Sequence, residues 1–179
     1  IRHIGGAGLT CTEFIASSGL KKGHGKMWEM ARFDSDERPI SIQIYGKDPE
    51  TMADAARIVQ DLGADICDIN MGCPSKKVCA HSGGSALMKD EALATSIVRA
   101  VRNAIEIPMT VKMRSGFDHT QRNAPEIAHI AQEEGAELRR VQGSAHVDPS
   151  HPPSGPADAR AAPRQLQLPL CHHELAGQV

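Results

Sequence analysis

The sequence lacks the features that mark membrane and exported proteins. In its 179 residues, no apolar run approaches the ~18 residues that a membrane-spanning helix needs. It begins Ile1-Arg2-His3, without an initiator methionine and without the apolar segment of a signal peptide. We therefore expect no membrane association and no export, and the missing methionine suggests that the true start lies upstream.

Paired cysteines are also missing. The cysteines are odd in number and none shows C-x-x-C spacing; they are Cys11, Cys67, Cys73, Cys79 and Cys171. This pattern indicates neither a disulfide framework nor a zinc site, and it favours reduced thiols in the cytoplasm. The run Cys171-His172-His173 has no fourth ligand at a suitable spacing, so we expect no bound metal.

An excess of positive charge is absent as well. The net charge is −2 and 23% of the residues are charged, which argues against a basic nucleic-acid coat. Any contact with RNA must therefore be made by a few local residues. The length suffices for one sizeable core but falls short of the ~250 residues that a complete eight-fold β/α barrel usually needs.

What is present is an alternation of strand and helix signals. Short β-prone runs occupy residues 9–15, 39–46, 64–71 and 107–114. Helical spacing of apolar residues follows Asp48, Asp90 and Asn123, and Gly63 and Gly135 end the first and third of these helices. The alternation predicts parallel strands with intervening helices, as in part of a TIM (β/α)8 barrel.

The alternation is expected to fail near the end of the chain. Residues 138–141 read L-R-R-V, with two arginines where a buried parallel strand should be almost wholly apolar. Residues 144–179 hold six of the eleven prolines and four of the nine histidines, without a helix or strand period. We therefore predict a partial barrel over residues 1–143 and a disordered or non-native tail over residues 144–179.

The parity of side chains along the strands selects candidate functional residues. In a β/α barrel, one face of each strand packs on helices, the other points inward, and chemistry occurs at the carboxyl ends. The inward-facing polar positions are Gln43, Asp68, Asn70, Thr110, Lys112 and Arg114. We expect them to converge at one mouth, although Lys112 and Arg114 could instead extend into solvent from the strand end.

The densest signal follows the third strand. Gly72 ends the strand and Pro74 prevents its continuation, so Cys73 is predicted to lie at the mouth of the barrel. A cysteine in such a place is often a small buried hydrophobe, but the loop position and the nearby Lys76 and Lys77 favour a usable thiol. The two lysines are candidate phosphate contacts, or else a solvated pair.

These residues resemble a known family. Residues 68–78 read D-I-N-M-G-C-P-S-K-K-V, and Q-I-Y-G precedes them while G-S-A-L-M and V-K-M-R-S-G follow. In order and spacing these blocks are similar to the tRNA-dihydrouridine synthases, in the bacterial branch linked to nitrogen regulation, over about residues 5–143. The resemblance implies a partial sequence of a barrel that binds FMN and reduces selected tRNA uridines with NADPH.

The resemblance also implies roles for individual residues. Cys73 would be the catalytic acid that gives a proton to carbon 5 of uracil after hydride reaches carbon 6. Gln43 and Lys112 would contact the FMN ring, Asn70 would lie at the flavin and the uracil, and Arg114 would sit beside the substrate. Because the reacting ring must leave its stack, the substrate should be a loop uridine of tRNA.

Departures from the family leave other interpretations open. The Ala-Pro-Met turn of the family's first strand has no counterpart here, and Gln142 stands where the family has a flavin-site histidine. We therefore expect the isolated chain to be inactive. The alternatives are a truncated fragment without catalytic function, or another flavin-dependent barrel that reduces a free pyrimidine. The oligomeric state and the modified uridine do not follow from the sequence.

Overall fold

A computed structural model describes residues 8–79, 83–118 and 120–142, with backbone alone for Lys77 and Leu138–Gln142. Its strands are Thr10–Cys11 (β1), Ile15–Ala16 (β2), Ile40–Tyr45 (β3), Ile66–Met71 (β4), Met109–Arg114 (β5) and Leu138–Gln142 (β6). Its α-helices are Ser17–Lys21 (α1), Gly25–Met30 (α2), Pro49–Asp61 (α3), Lys76–Cys79 (α4), Glu91–Arg102 (α5) and Ala124–Glu133 (α6). Two 3₁₀ helices cover Ser35–Glu37 and Gly84–Lys89. Each described helix is too short or too polar to cross a membrane.

The strands form one parallel sheet. Its order is β1-β3-β4-β5-β6, and β2 also pairs with β3. With helices between successive strands from β2 onward, the sheet is a half-barrel, so the prediction of a partial TIM barrel is confirmed. The carboxyl ends of β3, β4 and β5 consequently lie side by side, and the loops that leave them share one edge.

The first predicted strand is interrupted. Residues 9–15 were expected to be continuous, but β1 and β2 pair separately with the two ends of β3. Between them, the backbone N–H of Thr12 donates to the Ser41 carbonyl (3.0 Å). The Thr12 hydroxyl accepts a hydrogen bond from the backbone N–H of Gln43 (3.1 Å). A side-chain oxygen thus takes the place of a backbone carbonyl in the ladder, which satisfies Gln43 but breaks the regular pairing.

The helix that follows β3 begins and ends as predicted. The Asp48 carboxylate accepts from the Thr51 amide (2.8 Å), and Pro49 occupies the first turn of α3, where its missing N–H costs nothing. Gly63 follows the helix with φ of 81°, in the left-handed region that glycine adopts without strain. The local sequence therefore sets both ends of α3.

The other two predicted helices differ in how they begin. Asp90 caps α5 by accepting from the Leu93 amide at 2.9 Å. Asn123 precedes α6 as expected but makes no cap; its amide donates to the Met88 carbonyl (2.7 Å) and to Glu91 (3.1 Å). Asn123 therefore ties α6 to the start of α5, which its sequence position does not indicate.

The core lies on one face of the sheet. Alternate strand residues there are buried with helix residues in a single apolar cluster, which includes Ile42, Ile44, Cys67, Ile69, Met71, Val111, Met113, Met52, Val59, Ile97 and Val101. Burying a side chain of this size contributes about 1.5–3 kcal/mol. The helix-facing positions predicted from strand parity are confirmed, and the opposite parity is left for polar side chains.

The expectation that the strand pattern fails at Leu138 is wrong. β6 runs parallel to β5, with Val111 beside Arg139 and Lys112 beside Arg140. In the described part of the chain, β5 is the only neighbour of β6, and a strand at a sheet edge need not be uniformly apolar because its backbone bonds are independent of its side chains. Residues 144–179, with Cys171-His172-His173, lie outside the described residues.

Candidate active site

A hydrogen-bonded row of polar side chains crosses the inward face of the half-barrel. Gln43, Asp68 and Thr110 are register neighbours on β3, β4 and β5. The Gln43 amide nitrogen donates to one oxygen of Asp68, and the Thr110 hydroxyl donates to the other at 2.5 Å. Gln43 and Asp68 are each 9% exposed. Because both carboxylate oxygens accept, Asp68 orients its two neighbours, and parity had placed all three on this face.

Asn70 links this row to the loop that carries Cys73. Its amide nitrogen donates to Gln43 Oε1 at 2.6 Å, while its oxygen accepts from the amides of Gly72 (3.1 Å) and Cys73 (2.9 Å). Only one orientation of the Asn70 amide satisfies these partners. At 2% exposed, Asn70 is thus a rigid connection between the strand face and the start of the loop.

Cys73 is half-buried, and its backbone is held from the other side as well. Its carbonyl accepts from the Ser85 amide (3.0 Å) and from Cys79 Sγ (3.4 Å), and Cys79 Sγ lies 3.4 Å from Ser85 Oγ. Ser85 is 2% exposed. Sequence reasoning missed Cys79 and Ser85, since their contacts depend on how the loop returns rather than on strand parity.

Two glycines allow the loop to pack closely. A Cβ on Gly84 (φ 59°) would lie 2.7 Å from the Cys73 carbonyl oxygen and 2.8 Å from a methyl of Val78. A Cβ on Gly72 would lie 3.3 Å from the Met113 carbonyl carbon and 3.4 Å from Arg114 Cγ. The Cys73 loop therefore rests on the carboxyl end of β5, next to Arg114.

Lys112 and Arg114 lie on the same face as Thr110. In β5, positions 110, 112 and 114 are half-buried while positions 109, 111 and 113 are buried. Lys112 is the register partner of Asn70. Its side chain therefore leaves β5 next to the position on β4 where Asn70 connects the polar row to Cys73. Parity thus brings Gln43, Asn70, Lys112 and Arg114 to one face, near one edge of the sheet.

Of the two predicted phosphate contacts, Lys76 and Lys77, the structure describes the side chain of Lys76 only. Lys76 is exposed in α4, which begins three residues after Cys73, whereas the side chain of Lys77 lies outside the described part. Their role as phosphate contacts stays a prediction. Among the described residues, no group of three or more His, Cys, Asp or Glu side chains could hold a metal ion.

Burial and position together distinguish Cys73 from Cys67 and Cys11, the two cysteines that lie on strands. Cys67 is wholly buried on the helix-facing side, where burial, and then the negative charge of Asp68, raises the pKa of its thiol to about 12. Cys11 is exposed, but it pairs with Ser41 near the amino end of β3. It therefore lies at the amino-terminal end of the strands, opposite to the end that carries Cys73. Of these three thiols, Cys73 alone combines access with a place beside the polar row.

The donor set fits the edge of a flavin ring. The pyrimidine edge of a flavin presents carbonyl oxygens and ring nitrogens, which primary amides and an ammonium group can bind. Gln43 and Asn70 hold their amides in fixed orientations, and half-buried Lys112 has no salt bridge to any residue within the described ranges. An acceptor-rich ring would therefore find oriented donors here.

Comparison with known proteins identifies relatives over most of the chain. The family model for dihydrouridine synthase (Dus) matches residues 1–143. A probable tRNA-dihydrouridine synthase of Rickettsia typhi is 45% identical over 139 residues, covering 77% of this chain and 42% of the relative. The tRNA-dihydrouridine synthase B of Pseudomonas syringae is 43% identical over 143 residues, covering 80% and 42%. The chain thus spans less than half the length of these curated relatives.

Proposed function

The chain belongs to the dihydrouridine synthase family, and from that premise we propose that residues 1–143 are part of an FMN-dependent, NADPH-linked tRNA-dihydrouridine synthase. The proposed reaction reduces specific uridines of tRNA to dihydrouridine. The observation that carries the proposal is the half-buried Cys73, whose backbone amide is held by Asn70 beside Gln43 and Lys112 at the carboxyl ends of the strands.

The polar row would bind the flavin. Gln43, together with Lys112 next to the row, would contact the pyrimidine edge of FMN, and the hydrogen bonds of Gln43 with Asp68 and Asn70 fix the direction in which its side-chain amide points. When bound and reduced, FMN supplies the hydride that adds to carbon 6 of uracil. The positive charge of Lys112 stabilises the negative charge that develops nearby in the reaction.

Cys73 would complete the reduction as the catalytic acid. Hydride addition at carbon 6 leaves negative charge on carbon 5 and the adjoining carbonyl, and Cys73 Sγ gives its proton to carbon 5. The Asn70 and Ser85 hydrogen bonds hold the Cys73 backbone on both sides, which would help to position the thiol beside the uracil ring. The second N–H of the Asn70 amide, beyond the one that donates to Gln43, would serve the uracil and flavin edges.

Positive side chains around the loop would position the RNA. Arg114 lies against the loop at Gly72 and would contact the substrate beside the reacting ring. Lys76 and Lys77 would contact phosphates of the tRNA, in keeping with an overall charge that confines RNA binding to local groups. The enzyme would act in the cytoplasm without metal.

The test uses a full-length protein that carries this chain. We expect it to bind FMN and to form dihydrouridine in unmodified tRNA with NADPH, while free uracil is not reduced. Cys73→Ala should abolish product formation with flavin still bound, and the exposed Cys11→Ala at the other edge should leave the rate unchanged. Full turnover by Cys73→Ala would remove the thiol from the mechanism, and reduction of free uracil in preference to tRNA would contradict the substrate.

A further inference from the structure

A groove crosses the carboxyl ends of β2 and β3 beside the proposed catalytic loop. It consists of two adjoining cavities of about 310 Å³ and about 260 Å³, which share Ala16, Ser18 and Tyr45. Phe14, Lys22, His24 and Met27 also line the first cavity, and Lys47, Val78 and Gly83 also line the second. We call this feature the Tyr45 groove; neither Cys73 nor the polar row lines it.

The centre of the groove is aromatic. The rings of Phe14 and Tyr45 meet edge to face, with centroids 5.5 Å apart and an angle of 76° between their planes. Tyr45 is half-buried and has the same parity as Gln43, so it lies on the inward side of the sheet. The chain has a single Tyr and only three Phe, and two of these four residues form a pair at the mouth. Such aromatic rings can stack with nucleic-acid bases.

The groove leads directly to the Cys73 loop. A Cβ on Gly83 would lie 3.3 Å from Tyr45 Cδ2 and 3.6 Å from a methyl of Val78, so the ring packs on the segment that begins the 3₁₀ helix. At the next residue, a Cβ on Gly84 would lie 2.7 Å from the Cys73 carbonyl oxygen, so this position is close to the Cys73 backbone. A ligand in the groove would therefore lie next to whatever occupies the Cys73 site.

The charge around the groove is positive and available. Lys22 and Lys47 are exposed on its two cavities, and neither forms a salt bridge with any residue that the structure describes. The neighbouring Lys21, in contrast, is bound to Asp54 at 2.6 Å. Among the described residues that line the groove, Asp48 is the one carboxylate; it accepts hydrogen bonds from the Thr51 hydroxyl and amide, which lower its pKa and keep it as a helix cap.

We propose that the Tyr45 groove binds the tRNA nucleotide adjacent to the reacting uridine, with the base against Tyr45 and Phe14 and a phosphate between Lys22 and Lys47. The inference rests on the proposed function. A uridine that leaves its stack to reach Cys73 exposes the faces of its neighbours, and aromatic side chains bind such faces without sequence preference. Loss of one base–aromatic contact weakens binding by about 5- to 150-fold.

The experiment measures steady-state kinetics of full-length protein with tRNA. Tyr45→Ala is expected to raise the KM for tRNA about tenfold while kcat, bound flavin and the KM for NADPH stay unchanged, and Tyr45→Phe should behave as wild type. Ser18→Trp, at an exposed position shared by both cavities, should raise the same KM by filling the groove even if Tyr45→Ala proves unstable.

Charge variants provide the second measurement. Lys22→Ala with Lys47→Ala should flatten the salt dependence of tRNA affinity by about two units of slope, whereas Lys26→Ala, exposed in α2 outside the groove, should not. An unchanged KM for tRNA in both Tyr45→Ala and Ser18→Trp would overturn the groove proposal, as would a raised KM for NADPH alone. If the wild-type protein forms no dihydrouridine, the proposed function fails instead, which separates the two outcomes.

Discussion

Replacement of Asn70 by alanine tests how the catalytic loop is held. The buried side chain makes three hydrogen bonds, to Gln43 Oε1 and to the amides of Gly72 and Cys73. At about 1 kcal/mol each, their loss lowers the free energy of unfolding by about 3 kcal/mol. A thiol displaced by about 1 Å would also lower kcat by about 100-fold, because proton transfer depends on alignment.

The assay combines dihydrouridine formation at saturating tRNA with denaturant unfolding of full-length protein. Asn70→Asp should also be destabilising, since it keeps the acceptor for Gly72 and Cys73 but replaces the donor to Gln43 Oε1 with a buried carboxylate oxygen. Asn103→Ala, at an exposed helix end, is the matched control and should be neutral within about 0.5 kcal/mol. Wild-type kcat and stability in Asn70→Ala would refute the view that Asn70 positions Cys73.

Three further outcomes are expected. Neutralising Lys76 and Lys77 together should reduce the salt dependence of tRNA affinity by about two units of slope, measured between low and moderate salt, and an unchanged slope would favour a solvated pair. Native protein treated with iodoacetamide near pH 8.5 should be alkylated at Cys73 but not at Cys67, because a pKa of about 12 keeps the buried Cys67 thiol neutral. Equal labelling of the two cysteines, measured by mass spectrometry, would contradict the burial of Cys67. The 179-residue chain alone should be colourless and inactive, since its described strands form only a half-barrel, whereas a complete barrel closes the sheet on itself; stoichiometric FMN after purification would show that this reasoning is wrong.

The parts of the fold that depend on local chemistry could be predicted from the sequence. Asp48 and Gly63 mark the ends of α3 because a cap and a left-handed residue act through their immediate neighbours. The parity of Gln43, Asn70 and Lys112 follows from the period of a strand, which holds wherever the strand forms. These positions were therefore placed on one face without knowledge of their contacts.

The parts that depend on distant partners could not. Arg139 and Arg140 argue against a buried strand, but β6 has a neighbour on one side only in the described structure, and parity alone does not reveal that. Thr12 breaks the first strand because its hydroxyl meets the Gln43 amide, 31 residues away. Cys79 is only six residues from Cys73, but the contact of its Sγ with the Cys73 carbonyl depends on the path of the chain into α4, which no periodic pattern describes.

The connection from Thr110 through Asp68, Gln43 and Asn70 to Cys73 spans three strands. A slip of one residue in any of these strands would turn its member to the opposite face and cut the connection. Such a misassembled protein would keep its helices, and hence its circular dichroism, yet hold the thiol loosely. Specific activity therefore reports whether the strands are in the correct register. It is a stricter test of a correctly folded preparation than secondary-structure content is.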